Sequence, residues 1–269
     1  MRVKNIGILI FNVVVTLNFV SSAVLPESDS VTTDGNEFVL PEGIPTCKQN
    51  DPDLSGCIKA AINQQLPILH KGSKILNIPP LDPLKIPDGR YQYTSGPVGG
   101  TLIIKNVNVY GISKSSVKKV DTHVLDNGLT STMLVYFPRL YIEGNYKADV
   151  KINELKMRPK GYFNLTLSEV SVTTKTSGDF ELINGNKHLV LKNFDVEPEI
   201  GDLKVFATGL FPDPAINTVV LDFANQYWPE LVKTVLPQTK SIWEPLILES
   251  ANKFLRSIPI DKLLTKDEN

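Results

Sequence analysis

Hydrophobic and polar positions alternate most strictly between Arg139 and Lys151. Leu140, Ile142, Tyr146, Ala148 and Val150 share one parity; Arg139, Glu143, Asn145, Lys147, Asp149 and Lys151 share the other. Successive strand side chains point to opposite faces, so this spacing predicts a long strand with one dry and one wet face. Gly144 falls on the dry parity, where a missing side chain permits a bend. A second strand starts near Tyr162, with Phe163, Leu165 and Leu167 inward. Val170 and Val172 have the opposite parity, which predicts a bulge near Ser168. Further strand segments are expected at 101–112, 117–125, 132–137, 178–183, 188–196 and 203–210, so the β region runs from about Tyr91 to Phe211. Asn127-Gly128 and Asn184-Gly185-Asn186 are turn signals between them.

On either side the period is helical. Asp53 can cap a helix that begins near Leu54; Ile58, Ala61, Ile62, Leu66 and Leu69 follow, Pro67 threatens a kink and Gly72 suits the stop. Between 216 and 258, Trp243, Ile247, Ala251, Phe254 and Ile258 recur every three to four residues, widened by Ile242, Leu246 and Leu255. Glu249 and Lys253 are spaced as an exposed ion pair. Pro229, Pro237 and Pro245 interrupt this stretch, and an interior proline costs about 3 kcal/mol. A break is therefore expected at Pro237, and Pro259 ends the helix. Strands in one run, then helices, predict an α+β fold in which strands with one apolar face cover the long C-terminal helix. No Gly/Ser-rich or Pro-rich linker divides the chain, so residues 41–264 read as a single domain.

The two ends add a compartment. Arg2 and Lys4, the apolar run from Ile6 to Val20 and the small residues Ser21, Ser22 and Ala23 form the three parts of a secretory signal, expected over residues 1–23. A membrane anchor is the competing reading, against which Asn12, Asn18 and the shortness of the run count. Residues 24–40 read as a flexible polar leader and 265–269 as a polar tail. In an exported chain, the only cysteines, Cys47 and Cys57, favour a disulfide over a metal site. So short a loop contributes about 3 kcal/mol at most. Asn164-Leu165-Thr166 is a glycosylation sequon that places Asn164 on the surface.

Charge and motifs exclude more than they assign. With 28 basic and 29 acidic residues and no basic block, nucleic acid is not an expected partner. His70, His123 and His188 are isolated, so no metal site is expected. Neither a nucleophile elbow nor a phosphate loop occurs; Gly96-Pro97-Val98-Gly99-Gly100 reads as a turn. The chain is expected to be no enzyme, to use no cofactor, to insert in no membrane and to act as a monomer.

Several passages taken together resemble the insect takeout and juvenile-hormone-binding protein family. They are Cys47 with Cys57-Ile58-Lys59, Gly72, and the run from Ile78 to Leu84; then Phe137-Pro138-Arg139-Leu140, Glu143-Gly144-Asn145-Tyr146 and Lys160-Gly161; then Leu210-Phe211, Phe223 to Trp228, Asn252-Lys253-Phe254 and Ile258 to Leu263. The leader is longer than the family pattern, and Pro245 is unusual within the long helix. The resemblance implies a strongly curved antiparallel sheet wrapped around the long C-terminal helix, with a short N-terminal helix. It also implies a tunnel for a juvenile hormone, another terpenoid or a fatty ligand. The resemblance transfers no individual residue; the dry parity of the 139–151 strand supplies Leu140, Ile142, Tyr146 and Val150 as the expected lining, and the helical region adds Phe223, Trp228, Leu231, Val235, Ile242 and Leu246. Tyr136, Tyr146 and Tyr227 are candidate hydroxyl donors, although ordinary core packing selects the same residue types. The rivals are an interaction protein with a solid core and a secreted ester hydrolase.

Overall fold

The computed structural model describes residue 40 and residues 43–266, apart from 75, 77, 96 and 97; the side chains of residues 93, 95, 98, 152, 238, 239, 241–243 and 246 are outside that description. The expected signal segment, the leader up to residue 39 and the tail from residue 267 lie outside the described residues.

Three long strands dominate: β6 (Gly128–Ile152), β8 (Lys160–Ile183) and β9 (Asn186–Ala207). The preceding strands are β1 (Cys47–Lys48), β2 (Leu84–Ile86), β3 (Gly89–Ser95), β4 (Val98–Tyr110) and β5 (Ser116–Leu125), and β7 (Leu155–Met157) lies between β6 and β8. The main sheet is antiparallel, in the order β2-β4-β6-β8-β9, with β3 on β4 and both β5 and β7 on β6. Two strands share one side of β6: β4 pairs with its second half and β5 with its first. The helices are α1 (Leu54–Gln65), α2 (Pro214–Gln226), α3 (Trp228–Ser257) and α4 (Ile260–Leu263), followed by β10 (Leu264–Thr265), which pairs in parallel with β1.

The segments expected as separate strands are halves of continuous ones. Pro138, Glu169 and Gly201 face one another across β6, β8 and β9, because Phe137 pairs with Val170, Arg139 with Ser168, Ser168 with Asp202 and Val170 with Ile200. Glu169 has a φ of 53°, and a Cβ on Gly201 would come within 2.8 Å of the Glu169 Cβ. All three strands invert their parity on this line without gaining a residue. The feature expected near Ser168 is thus a crease running across the sheet, not a bulge. A bulge does occur in β4, where the register slips between Lys105 and Asn108 and Asn106 has a φ of 53°. Gly144 lies opposite, and a Cβ there would meet Val107 at 2.7 Å and the Phe163 ring at 3.1 Å.

The expected disulfide joins Cys47 to Cys57. Asp53 caps α1 by accepting from the Gly56 amide at 3.0 Å. The helix stops at Gln65, and Pro67 opens a separate 3-10 turn at Ile68–Lys71. The C-terminal helices correct the expected break. It falls at Tyr227, where α2 ends just ahead of Pro229, and α3 continues through Pro237 and Pro245. Proline at the first helical positions removes an amide that has no partner there in any case. Pro237 and Pro245 are exposed, so water can satisfy the carbonyls they leave free.

The sheet is not closed, and asparagines cover its open backbone. Asn63 of α1 accepts from the Val117 amide at 2.7 Å and donates to its carbonyl at 3.0 Å. Asn225 of α2 does the same for Val205, at 2.7 and 2.9 Å, and Asn252 of α3 for Leu191, also at 2.7 and 2.9 Å. A carboxamide reproduces the donor and acceptor of a peptide group, so each helix substitutes for a missing strand at one residue.

Candidate ligand-binding site

The inner face of the sheet meets α3, and the crease divides that face into two halves. On the β4 side, Ile104, Ile142, Phe163 and Leu165 are 0% exposed, and Val107 and Leu203 are 1% exposed. On the β5 side, Met133, Val135, Phe137, Thr174, Phe194 and Ile200 project inward yet are only half-buried, while Val170, Val172 and Val196 beside them are buried. Among the described residues, most buried apolar side chains form one large cluster, which includes Leu140, Ile142, Tyr146, Leu231 and Val235, with Trp228 packed against it. A second cluster surrounds the disulfide with Leu54, Leu129, Leu189, Leu191, Ile260 and Leu264. Phe194 packs against both, as does α3, through Leu236 and Ile247 on one side and Leu248, Ala251 and Leu255 on the other.

Six of the ten expected lining residues therefore come together. Val150 lies apart with Ala148, Leu102 and Met157. Phe223 is 37% exposed and stacks on Tyr227 at 4.8 Å; Leu221 and Ala224 occupy the inward positions of α2 instead. With Ile216 and Val219 these two rings form an exposed apolar stripe. Ile242 and Leu246 belong to α3, but their side chains are outside the described set.

The three tyrosines expected as donors are committed elsewhere. Tyr146 donates to the Thr208 carbonyl at 2.9 Å, and burial raises its pKa, so it remains a donor. Tyr136 lies on the outer parity under Lys118, whose Nζ is 5.2 Å from the ring, and Tyr227 is 43% exposed. The inner face carries a different set of hydroxyls. Thr122, Ser131 and Thr176 pair across β5, β6 and β8 in a row that ends at Phe194. Thr122 Oγ1 and Ser131 Oγ, both buried, are 2.7 Å apart, and Thr176 Oγ1 donates to the Ser131 carbonyl at 3.2 Å. Two hydroxyls that share one bond still have one proton to offer. Their signal in the sequence was a hydroxyl residue on the apolar parity, beside Val120 and Leu129.

At this level α3 is tied to the sheet by ions. Lys240 bonds to Asp195 of β9 and, at 3.2 Å, to Glu244. The bond from Lys240 lowers the Asp195 pKa and raises that of Lys240. The outer face holds an open cleft of about 860 Å³. Arg90, Thr101, Lys147, Asp149, Lys151 and Glu154 line it, a charged surface unsuited to an apolar guest. Among the described residues, no group of three or more His, Cys, Asp or Glu could hold a metal ion, and no helix is long and apolar enough to cross a membrane.

A curved, open antiparallel sheet over a long helix, with an apolar face between them, defines a takeout-type α+β protein. The chain belongs to the haemolymph juvenile hormone binding protein family, whose sequence profile matches residues 21–265. This is a carrier family for small hydrophobic ligands rather than an enzyme family. The chain is 22% identical over 225 residues to the "Putative beta-carotene-binding protein" of Schistocerca gregaria, covering 82% of this chain and 88% of that one. It is similar in fold to the crystal structure of Takeout 1 from Epiphyas postvittana. The TM-score is 0.66 at 19% identity, over 82% of this chain and all of the other.

Proposed function

We propose that this protein is a secreted, non-enzymatic carrier that holds one elongated apolar molecule between α3 and the β5-side half of the sheet. The observation that carries this reading is the contrast across the crease. The β4-side half has inner side chains with no exposed surface, whereas on the other side Met133, Val135, Phe137 and Phe194 point inward and keep accessible apolar surface around a buried strip of Val170, Val172 and Val196. A guest covering roughly 300 Å² of apolar surface gains about 7 kcal/mol before the cost of association. Thr122, Ser131 and Thr176 lie at the far end of this half and suit a single polar group on the guest. Juvenile hormones, other terpenoids and fatty acids have that form, and the carotenoid in the relative's name belongs to the same long, apolar class. Of the residues expected from the sequence, half-buried Trp228 keeps accessible surface on α3, whereas Leu231 and Val235 are buried and, with Leu140, Ile142 and Tyr146, close one end.

Organic extraction of the full chain taken from its natural source, followed by mass spectrometry, tests the proposal. The expected result is one class of elongated lipid at close to one molecule per chain. Protein that arrives free of lipid, and that binds no terpenoid or fatty probe at micromolar concentration, sinks it.

A further inference from the structure

The outer face around the sequon has a composition that the carrier reading does not use. Asn164 lies in the middle of β8, paired with Glu143 of β6 on one side and Phe206 of β9 on the other. Directly paired residues project to the same side of a sheet, as do residues two apart on one strand. Asn164, Thr166, Tyr162 and Phe206 therefore share the outer face. Phe206 is an aromatic ring 47% exposed on a strand whose inward neighbours, Val205 and Ala207, are buried. On the other flank, Tyr162 donates to Glu143 at 2.9 Å and lies 3.1 Å from the Tyr141 hydroxyl, so its ring is held in place beside the sequon.

We infer that Asn164 carries an N-linked glycan whose first N-acetylglucosamine lies over the Phe206 ring. In the transfer step the Asn164 amide nitrogen forms a bond to C1 of a polyprenyl-diphosphate-linked oligosaccharide. The C1–O bond breaks, the polyprenyl diphosphate leaves, and the amide proton passes to base. The sugar ring presents C–H groups on one face and hydroxyls on its rim. It can cover the exposed ring while its polar groups stay in water, as an amphipathic group does at any aromatic surface. The inference requires export of the chain, which the Cys47–Cys57 disulfide supports, but it does not depend on a ligand.

The test uses the full chain secreted by a eukaryotic cell line. Wild type is compared with Asn164→Gln, Thr166→Ala and Phe206→Ala, and with wild type trimmed by an endoglycosidase to a single sugar. The wild type is expected to carry glycan mass at Asn164 and both sequon variants none. The trimmed protein should melt with the fully glycosylated one. Both glycan-free variants should melt lower, by about 2 °C or more. In the Phe206→Ala background the glycosylated and glycan-free forms should melt together. An unoccupied Asn164 in protein recovered from the medium overturns the inference. So does a melting temperature indifferent to the sugar, or a sugar effect that survives Phe206→Ala.

Discussion

The two halves of the sheet contain the same strands and are packed differently. β6, β8 and β9 pass through both, and parity inverts between them at Pro138, Glu169 and Gly201. On the β4 side, Phe163, Ile104, Ile142 and Leu165 are sealed, with Gly144 cleared to admit Phe163 and Val107. On the β5 side, Val170, Val172 and Val196 are sealed too, but Met133, Val135, Phe137 and Phe194 are half-buried and a row of hydroxyls crosses the inner face. The difference teaches that apolar character alone does not mark a binding surface. What distinguishes the halves is how completely opposing groups fill the space, and a fully packed interior leaves no unfilled surface for a guest.

Truncating one phenylalanine in each half should separate the halves most widely. Phe163→Ala empties a sealed position and should lower stability by about 3–5 kcal/mol, read by denaturant unfolding. Phe137→Ala removes a half-buried ring and should cost much less stability, while weakening affinity for an apolar probe about tenfold or more. If both variants lose stability equally and neither changes affinity, the two halves are one core.

The helix wall can be loosened without touching the interior. Asn252→Ala leaves the Leu191 amide and carbonyl without their carboxamide partner, and Asn225→Ala does the same to Val205. Each should cost about 1–3 kcal/mol. Hydrogen exchange should quicken locally, at β9 and α3 for the first variant and at β9 and α2 for the second. Unchanged protection at those amides contradicts their role as edge covers.

A smaller effect should appear with acid. The folded pKa of Asp195 is lowered by its bond to Lys240, so its contribution to stability is present above the unfolded value of about 3.9. That contribution disappears as pH falls through the lowered folded value. Both side chains are partly exposed, so the effect should be modest and weaker in high salt. Asp195→Asn should remove this part of the acid dependence of unfolding. An acid limb identical to that of wild type argues against the Lys240 tie.

Much of the fold was legible because strand parity and helix caps are local. The 139–151 alternation is reproduced residue for residue in the burial of β6, and Asp53 caps α1 as its position implies. Two continuities were not legible. Pro138 and the parity change near Ser168 look like strand ends. Only the alignment of three strands reveals a crease, and that alignment depends on pairing between residues far apart in the chain. Pro237 looks like a helix break, but its exposed position lets water replace the lost bond. The site was legible only as a face. Half-burial of Phe137 and full burial of Phe163 depend on what opposes them, and the residue type is the same. The exposure of Phe223 was not legible for a related reason: α2 has apolar residues on both faces, so periodicity does not say which face turns inward.

Cross-linking with a photoreactive long-chain fatty probe, followed by peptide mapping, tests the central claim most directly. Adducts are predicted on β6 between residues 131 and 137, on β8 between 172 and 176, and on α3. Adducts concentrated instead at residues 140–150 of β6 and 163–167 of β8, or on the outer face, would contradict the placement of the guest.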